Sequence, residues 1–163
     1  MTRRRPAGLP SAQEASRLRA KQERQHLLAL YITACDYARQ LEEAVTQGHS
    51  PTGYGPPLTP LPEDVAEALL APVRAYLAQM RDLVARHAPR ELATFETRQP
   101  AANTVVWASN LLERLRQVSE DLAPTRMRRY GSDPAWAEQY AEASDRLARL
   151  VAEARGVLEG RSG

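Results

Sequence analysis

The sequence has 163 residues, one cysteine and a formal net charge of +2 at pH 7, and 43% of its residues are hydrophobic. This length is typical of one domain whose core needs no structural metal, and a single cysteine excludes an internal disulfide. No stretch approaches the roughly 20 apolar residues of a membrane span, and the charged start at residues 1–6 lacks the apolar segment of a signal peptide. We therefore expect a cytoplasmic protein without membrane contact.

Positive charge is concentrated near the start of the sequence. Residues 1–26 carry a net charge of +5, whereas the remainder of the chain carries a net charge of −3. A basic segment on a mildly acidic body indicates a macromolecular partner, with nucleic acid as one candidate, and bears on association rather than on fold. We expect residues 1–10 to form a disordered basic arm and residues 11–160 to form a single helical-bundle domain.

The first predicted helix spans residues 11–47. Ser11 and Glu14 have the spacing of a capping box, in which each side chain accepts a hydrogen bond from the backbone N–H of the other residue. Polar residues fill the first half, and an apolar face with spacings of three and four begins at Leu27. Gly48 is a signal for the end of a helix. The pattern predicts a long helix whose basic N-terminal half projects beyond the core.

A connector rich in proline and glycine follows at residues 49–62. This composition predicts little helix or strand. Two interpretations stay open. The connector is either an ordered strap over the bundle, held by Tyr54 and Leu58, or a spacer. We favour the strap slightly, because loops of this length in compact domains tend to be functional or disordered.

The second predicted helix spans residues 62–87. Pro62 suits its first turn, where a backbone N–H would have no partner, and Glu63 and Asp64 complement the positive end of the helix dipole. Pro72 lies inside this helix, where it removes one backbone hydrogen bond and clashes with the preceding turn. We therefore expect a kink or a split at Pro72.

Residues 90–98 are predicted to form a short helical turn or a capping loop with Phe95 packed inward. A third helix is predicted over residues 100–122 and a fourth over residues 133–158, with Pro134 in its first turn. The sequence contains no period-two run of β-branched or aromatic residues and no hairpin signal. Four amphipathic helices with mostly short connections predict an all-α fold, arranged as an antiparallel four-helix bundle.

Metal and thiol chemistry find little support in the residue spacing. A di-iron centre takes two Glu-x-x-His pairs, and the sequence holds one, Glu23 with His26. His49 lies in the connector, and His87 has no glutamate three residues before it. We expect three solvent-accessible histidines, no metal site and no cofactor. Cys35 lies in an apolar run and is expected to be a buried, unreactive thiol.

One short motif points to an enzyme. His87 follows Arg81 by six residues. This spacing resembles that of the helical HEPN ribonucleases, which use an arginine followed four to six residues later by a histidine. The resemblance covers residues 81–87 alone and implies an RNA-cleaving or toxin-type bundle with Arg81 and His87 as its catalytic residues. Because residues six apart on a straight helix point about 120° away from each other, convergence would need a helix end or a dimer.

Two basic clusters are the best remaining functional signal. On the first helix, Arg17, Lys21 and Arg24 fall on one face, with Arg19 to the side. The second cluster lies between the third and fourth predicted helices, at residues 125–130, where three arginines lie beside a tyrosine. Arginine forks bind phosphates, and a tyrosine beside arginines can stack on an unpaired base. The alternative is a solvated helix face and an arginine-rich loop that caps the third helix. The candidate contact residues are Arg3, Arg4, Arg5, Arg17, Arg19, Lys21, Arg24, Arg126, Arg128, Arg129 and Tyr130.

These observations favour a non-enzymatic helical interaction module. It would be an accessory or small subunit of a larger assembly and would contact nucleic-acid phosphates through its basic N-terminal segment. Two alternatives stay open, the HEPN-like ribonuclease and a protein-only scaffold or chaperone whose basic arm contacts an acidic partner. Val105, Val106 and Trp107 make the third helix apolar around most of a turn, which is typical of a central helix or an interface and is compatible with a homo-oligomer.

Overall fold

A computed structural model describes the chain over residues 11–47, 60–96, 108–127 and 134–161. Within these ranges the chain is almost entirely helical and contains no strand, which confirms the predicted all-α class. No helix in the same ranges is long and apolar enough to cross a membrane. The helices described there are α1 (Ala12–Gln47), α2 (Glu63–His87), α3 (Pro89–Glu96), α4 (Ala108–Leu122), α5 (Pro124–Met127) and α6 (Pro134–Arg161).

A capping box starts α1, as the sequence predicts. The Ser11 N–H donates to Glu14 Oε2 at 3.2 Å, and the Glu14 N–H donates to Ser11 Oγ at 3.0 Å. Both bonds satisfy N–H groups that have no partner within the helix. The helix then runs for 36 residues without interruption. Its first buried residue is Leu27, so its second half alone supplies core side chains.

The connector between α1 and α2 is described at its last residues. The Leu61 N–H donates to the Val45 carbonyl at 2.9 Å, and the Leu61 side chain is buried. This bond satisfies one of the carbonyls that the end of a helix leaves unpaired. Tyr54 and Leu58 lie outside the described residues, so the strap and the spacer both stay predictions.

The second helix, α2, passes through Pro72 as a single helix, so the predicted split is wrong. Pro72 removes the hydrogen bond to the Ala68 carbonyl, and both of these residues are exposed. The buried side chains of Leu69 and Tyr76, before and after the proline, pack into the same core and hold both parts of α2 in place. α2 begins one residue later than predicted, so Pro62 is its N-cap residue rather than part of its first turn.

The short helical turn predicted near residue 90 is present as α3. It follows α2 almost directly, and the Leu92 N–H donates to the Ala88 carbonyl at 2.9 Å. Leu92 is buried, and the Phe95 ring lies edge-on to the Tyr31 ring with centroids 6.0 Å apart. Phe95 therefore packs inward, as predicted, and connects α3 to α1.

The two longer C-terminal helices lie close to their predicted positions. α4 ends at Leu122 as predicted, while residues 100–107 of that prediction lie outside the described residues. α5 is a short helical turn where the sequence predicts a loop, and its fully buried Met127 packs it into the core beside α4 and α6. α6 begins at the predicted Pro134 and extends to Arg161, beyond its predicted end.

One hydrophobic cluster forms the core, and each of the four longer helices contributes to it. α4 packs most extensively, against α6 and α1, and α1 also packs against α2. The contact between α2 and α6 is smaller, and there the Tyr76 hydroxyl donates to the Ala143 carbonyl at 3.0 Å. The largest fully buried side chains include Tyr76, Tyr140, Leu27, Leu41, Met80, Leu111, Leu112, Leu122 and Met127.

Candidate functional site

Three of the predicted contact residues, Arg17, Arg19 and Lys21, lie on the exposed part of α1. Every side chain from residue 12 to residue 22 is exposed apart from the partly buried Ala15. Within the described ranges, no carboxylate lies at ion-pair distance from any of these three cations. Their charge is therefore available to a partner.

The other predicted contact residues are placed differently. Arg24 is partly exposed, and its Nε lies 3.6 Å from Glu91 Oε1 of α3. Arg126 is exposed on α5, the turn that packs against α4 and α6. Arg24 therefore follows the exposed cations along α1 but forms an ion pair with α3. The remaining candidates, Arg3, Arg4, Arg5, Arg128, Arg129 and Tyr130, lie outside the described residues.

A cleft of about 470 Å³ opens where the first half of α1 meets the end of α2 and the start of α6. We call it the α1/α2/α6 cleft. Two of the predicted contact residues, Arg19 and Arg24, line it, and α2 adds a third arginine, Arg86. The lining residues are Ser16, Arg19, Ala20, Glu23 and Arg24 of α1, Arg86 and His87 of α2, and Trp136 of α6.

The charge in the cleft is predominantly positive. Arg19 and Arg86 have no carboxylate at ion-pair distance within the described ranges, and Arg86 Nε donates to the Asp82 carbonyl at 3.3 Å. Glu23 is the one carboxylate among the residues that line the described cleft, and it accepts a hydrogen bond from the buried Tyr140 hydroxyl. Three guanidinium groups and one carboxylate therefore line the cleft, which favours an anion.

His87 forms part of the cleft wall together with aromatic rings. Its imidazole lies against the Trp136 ring, and its centroid is 5.7 Å from that of the Tyr140 ring. Burial, helped by the nearby Arg86 charge, lowers the pKa of His87 to about 4, so the imidazole is neutral at neutral pH. Its Nε2 atom is buried without a hydrogen-bond partner among the described residues. His87 is therefore only partly accessible to solvent, and its Nε2 atom is not accessible.

Tyr140 connects this wall to α1. Its side chain is fully buried, and burial together with the hydrogen bond to Glu23 raises its pKa above the usual range. The hydroxyl therefore keeps its proton and acts as the donor to the Glu23 carboxylate. Arg19 lies one turn before Glu23 on the same side of the helix, and both residues line the cleft.

The two residues of the HEPN-like motif lie in different surroundings. Arg81 is exposed, and its Nε donates to Glu96 Oε1 of α3 at 2.7 Å. His87 lies in the wall of the cleft, and Arg81 is not among the residues that line it in the described structure. The arginines that share the cleft with His87 are instead Arg19, Arg24 and Arg86.

Two residues of the cleft, Arg86 and Trp136, were missed by the sequence reasoning. Trp136 is partly buried against the core and lines the cleft as well. Arg86 directly precedes His87 at a helix end that the sequence does predict. That adjacency of a cation and an imidazole is the one sequence signal that could have identified Arg86.

Metal and thiol sites have no geometric support in the described residues. These ranges hold no group of three histidine, cysteine, aspartate or glutamate side chains that could bind a metal ion. Cys35 is partly rather than fully buried, and burial raises the pKa of its thiol. A thiol that keeps its proton is a poor nucleophile, which fits the predicted unreactive cysteine.

Comparison of the chain with protein-family models, with curated proteins and with solved structures gives no match. The chemistry of the protein is therefore inferred from its own residues. The two features that bear on it are the exposed cations of α1 and the α1/α2/α6 cleft.

Proposed function

We propose that the protein is a non-enzymatic helical interaction module that contacts nucleic-acid phosphates through the first half of α1. The observation that carries the proposal is the exposure of Arg17, Arg19 and Lys21 without carboxylate partners in the described ranges. Guanidinium and ammonium groups bind phosphates and release the counterions condensed around them. Contacts of this kind position a protein on nucleic acid without reading the bases, which suits an accessory subunit of a larger assembly.

The arginines of the helical body offer a useful contrast. The Arg74 guanidinium of α2 pairs with Glu42 of α1 and with Glu67 of its own helix. Its charge is matched within the protein and contributes to the contact between two helices. Arg17, Arg19 and Lys21 in the first half of α1 have no such partners in the described structure, which supports a counter-charge supplied by another molecule.

The proposed architecture is an antiparallel four-helix bundle from which the basic half of α1 projects. Contacts connect α1 to α2, α2 to α6, α6 to α4 and α4 to α1, as expected for a ring of four helices. The absence of buried side chains before Leu27 in the described part of α1 supports a projecting stretch of this helix that ends where Glu23 contacts Tyr140 and Arg24 contacts Glu91. A projecting basic helix can follow an extended phosphate backbone more easily than a flat surface can.

A titration with a single-stranded oligonucleotide at salt concentrations between about 50 and 200 mM tests the proposal. The variant Arg17→Gln/Arg19→Gln/Lys21→Gln removes three charges from exposed helical positions with little change in helix propensity. If all three residues contact phosphates, the slope of log K against log salt should become shallower by about two to three, and affinity at low salt should fall at least about tenfold.

A matched control, Arg90→Gln/Arg114→Gln/Arg149→Gln, removes the same charge from exposed positions on α3, α4 and α6. It should keep the salt slope of the unmodified chain. Equal losses in the two triple variants would reduce the effect to overall charge and contradict the proposal. If the unmodified chain does not bind even at low salt, the protein-only scaffold becomes the better explanation.

The ribonuclease is the second candidate, and one observation favours it. His87 is neutral at neutral pH and lines a cleft that also holds three arginines, an arrangement that could accept a proton beside a phosphate. Incubating an RNA oligonucleotide with the full chain and a chelator separates the two candidates. Cleavage that is lost in His87→Ala would establish the enzyme, whereas RNA that is bound and stays intact supports the interaction module.

A further inference from the structure

We propose that the α1/α2/α6 cleft binds one unpaired nucleotide of the nucleic-acid partner, with its arginines on the phosphate and Trp136 beside the base. This inference rests on the proposed function, because the exposed half of α1 would deliver the strand whose nucleotide enters the cleft. It goes further in naming the part of the partner that is recognised and the residues that recognise it.

The phosphate side of the site is formed by arginines from two helices. Arg19 and Arg24 belong to α1, and Arg86 belongs to α2, so a phosphate between them would be bound from both sides. The Arg24 pair with Glu91 is 3.6 Å long, whereas direct charge-assisted hydrogen bonds measure about 2.7–2.9 Å. A phosphate could therefore replace Glu91 as the partner of Arg24 at little cost.

The base side of the site is aromatic. Trp136 is partly buried, and its ring lies against His87, which in turn lies near the buried Tyr140 ring. Such support keeps the indole in place, and a fixed aromatic ring stacks on an unpaired base whatever its sequence.

The size of the cleft limits the ligand. Its volume of about 470 Å³ lies within the range of about 300–1,000 Å³ that is typical of small-molecule sites. One nucleotide fits this range. In a duplex the bases are paired and stacked on each other, so a base could enter only from a single-stranded or unpaired region.

A neighbouring cavity shows why the nucleotide is assigned to this cleft. A cavity of about 290 Å³ between α2 and α6 shares Arg86 with the α1/α2/α6 cleft. It is also lined by Asp82 and Glu142, whose carboxylates would repel a phosphate. Arg146 lines that cavity and not the cleft, so it offers an arginine for a matched control.

Calorimetric titration of the full chain with adenosine 5′-monophosphate, adenosine and inorganic phosphate tests the inference. The monophosphate should bind, and adenosine and inorganic phosphate should each bind at least about tenfold more weakly, because each offers only part of the contacts. Arg86→Gln should weaken monophosphate binding about tenfold or more, the effect of losing one charge-assisted hydrogen bond. Arg146→Gln should leave it unchanged.

The aromatic wall is tested separately. Trp136→Leu keeps an apolar side chain at the wall and removes the ring, so it should weaken monophosphate binding about tenfold or more while leaving binding of inorganic phosphate unchanged. Thermal unfolding of each variant checks that it is folded. Arg86 is exposed, so Arg86→Gln keeps the inference testable even if Trp136→Leu does not fold.

Failure of this inference can be distinguished from failure of the proposed function. If the oligonucleotide binds with a steep salt dependence while the monophosphate does not bind, or binds Arg86→Gln equally well, the nucleotide site is overturned and the proposed function stands. If neither ligand binds at low salt, both are overturned. An acidic peptide that displaces the monophosphate and binds more tightly would assign the cleft to a protein ligand instead.

Discussion

The two halves of α1 belong to one continuous helix but bury very different amounts of surface. From Ala12 to His26 no side chain is buried, whereas nine residues between Leu27 and Val45 are. Both halves contain several alanine, glutamate and glutamine residues, which favour helix on their own. The capping box and this helix propensity stabilise the part of α1 that supplies no core residue. Helix formation and burial are therefore separate properties along α1.

The two halves also differ in how their charges are used. In the second half, Glu42 pairs with Arg74 of α2, which connects two helices of the body. In the first half, Arg17 and Lys21 have no carboxylate partner in the described structure. The α1/α2/α6 cleft lies beside the first half, which contributes cations, while the body contributes an aromatic wall. The contrast assigns stability to one half and association to the other.

The largest expected effect is a difference in stability between the same substitution, leucine to alanine, made in each half of α1. Leu41 is fully buried, and Leu18 is 51% exposed. Leu41→Ala leaves a cavity in the core and should lower the free energy of unfolding by about 2–5 kcal/mol. Leu18→Ala should change it by less than about 0.5 kcal/mol, because that leucine buries little surface and alanine is the better helix former. Urea denaturation followed by circular dichroism measures both values.

A large loss of unfolding free energy in Leu18→Ala would contradict the contrast between the two halves of α1. It would mean that the first half of α1 packs against something in solution, either the body or a second copy of the chain. Repeating the denaturation at several protein concentrations distinguishes these cases, because stability that depends on a second copy rises with concentration.

A smaller effect is expected from His87, which lines the cleft beside the first half of α1. Its pKa is lowered by burial from 6.5 to about 4, so between these pH values the unfolded chain binds more protons than the folded chain. The stability that this group contributes is therefore fully present above pH 6.5 and is lost as the pH falls towards 4. Because the ring keeps part of its surface in solvent, we expect a loss of about 1–2 kcal/mol.

The variant His87→Gln isolates this contribution. The charged groups that line the cleft with His87 are Arg19, Glu23 and Arg24 of α1 and Arg86 of α2, and the arginines oppose its protonation while Glu23 favours it. Over the same pH range, the free energy of unfolding should fall less in His87→Gln than in the unmodified chain. An equal pH dependence of the free energy of unfolding in the two proteins would show that His87 is solvated and that its burial does not contribute to stability.

The parts of the structure that could be predicted from the sequence depend on local interactions. The capping box of Ser11 and Glu14, the start of α6 at Pro134 and the end of α4 at Leu122 are each set by residues within a few positions. Such signals act through hydrogen bonds and backbone angles near a helix end, whatever lies elsewhere in the fold. These three helix ends were therefore predictable.

The cleft depends on residues that are distant in the chain. His87 and Trp136 meet because the end of α2 packs beside the start of α6, and no spacing in the sequence encodes that contact. The partial burial of His87 could not be predicted from the sequence for this reason. Pro72 shows packing acting against a local signal, since the buried Leu69 and Tyr76 keep α2 in one piece around it.

The smallest effect on global stability is expected at the capping box. Ser11→Ala removes the hydroxyl that accepts from the Glu14 N–H and should cost the first turn about 1 kcal/mol. Because residues 12–22 supply no buried side chain, these turns can open while the core stays folded. Hydrogen exchange should show amide protection in the first turns of α1 falling about fivefold, with the free energy of global unfolding changed by less than about 0.5 kcal/mol.

The matched control for this experiment is Ser16→Ala, which removes another exposed hydroxyl from the same half of α1. Ser16 lies inside the helix rather than at its cap, and alanine is the better helix former there, so amide protection should be kept or should rise. A global loss of about 1 kcal/mol in Ser11→Ala would instead show that the first half unfolds together with the core. The two halves of α1 would then differ in their surfaces and not in their stability.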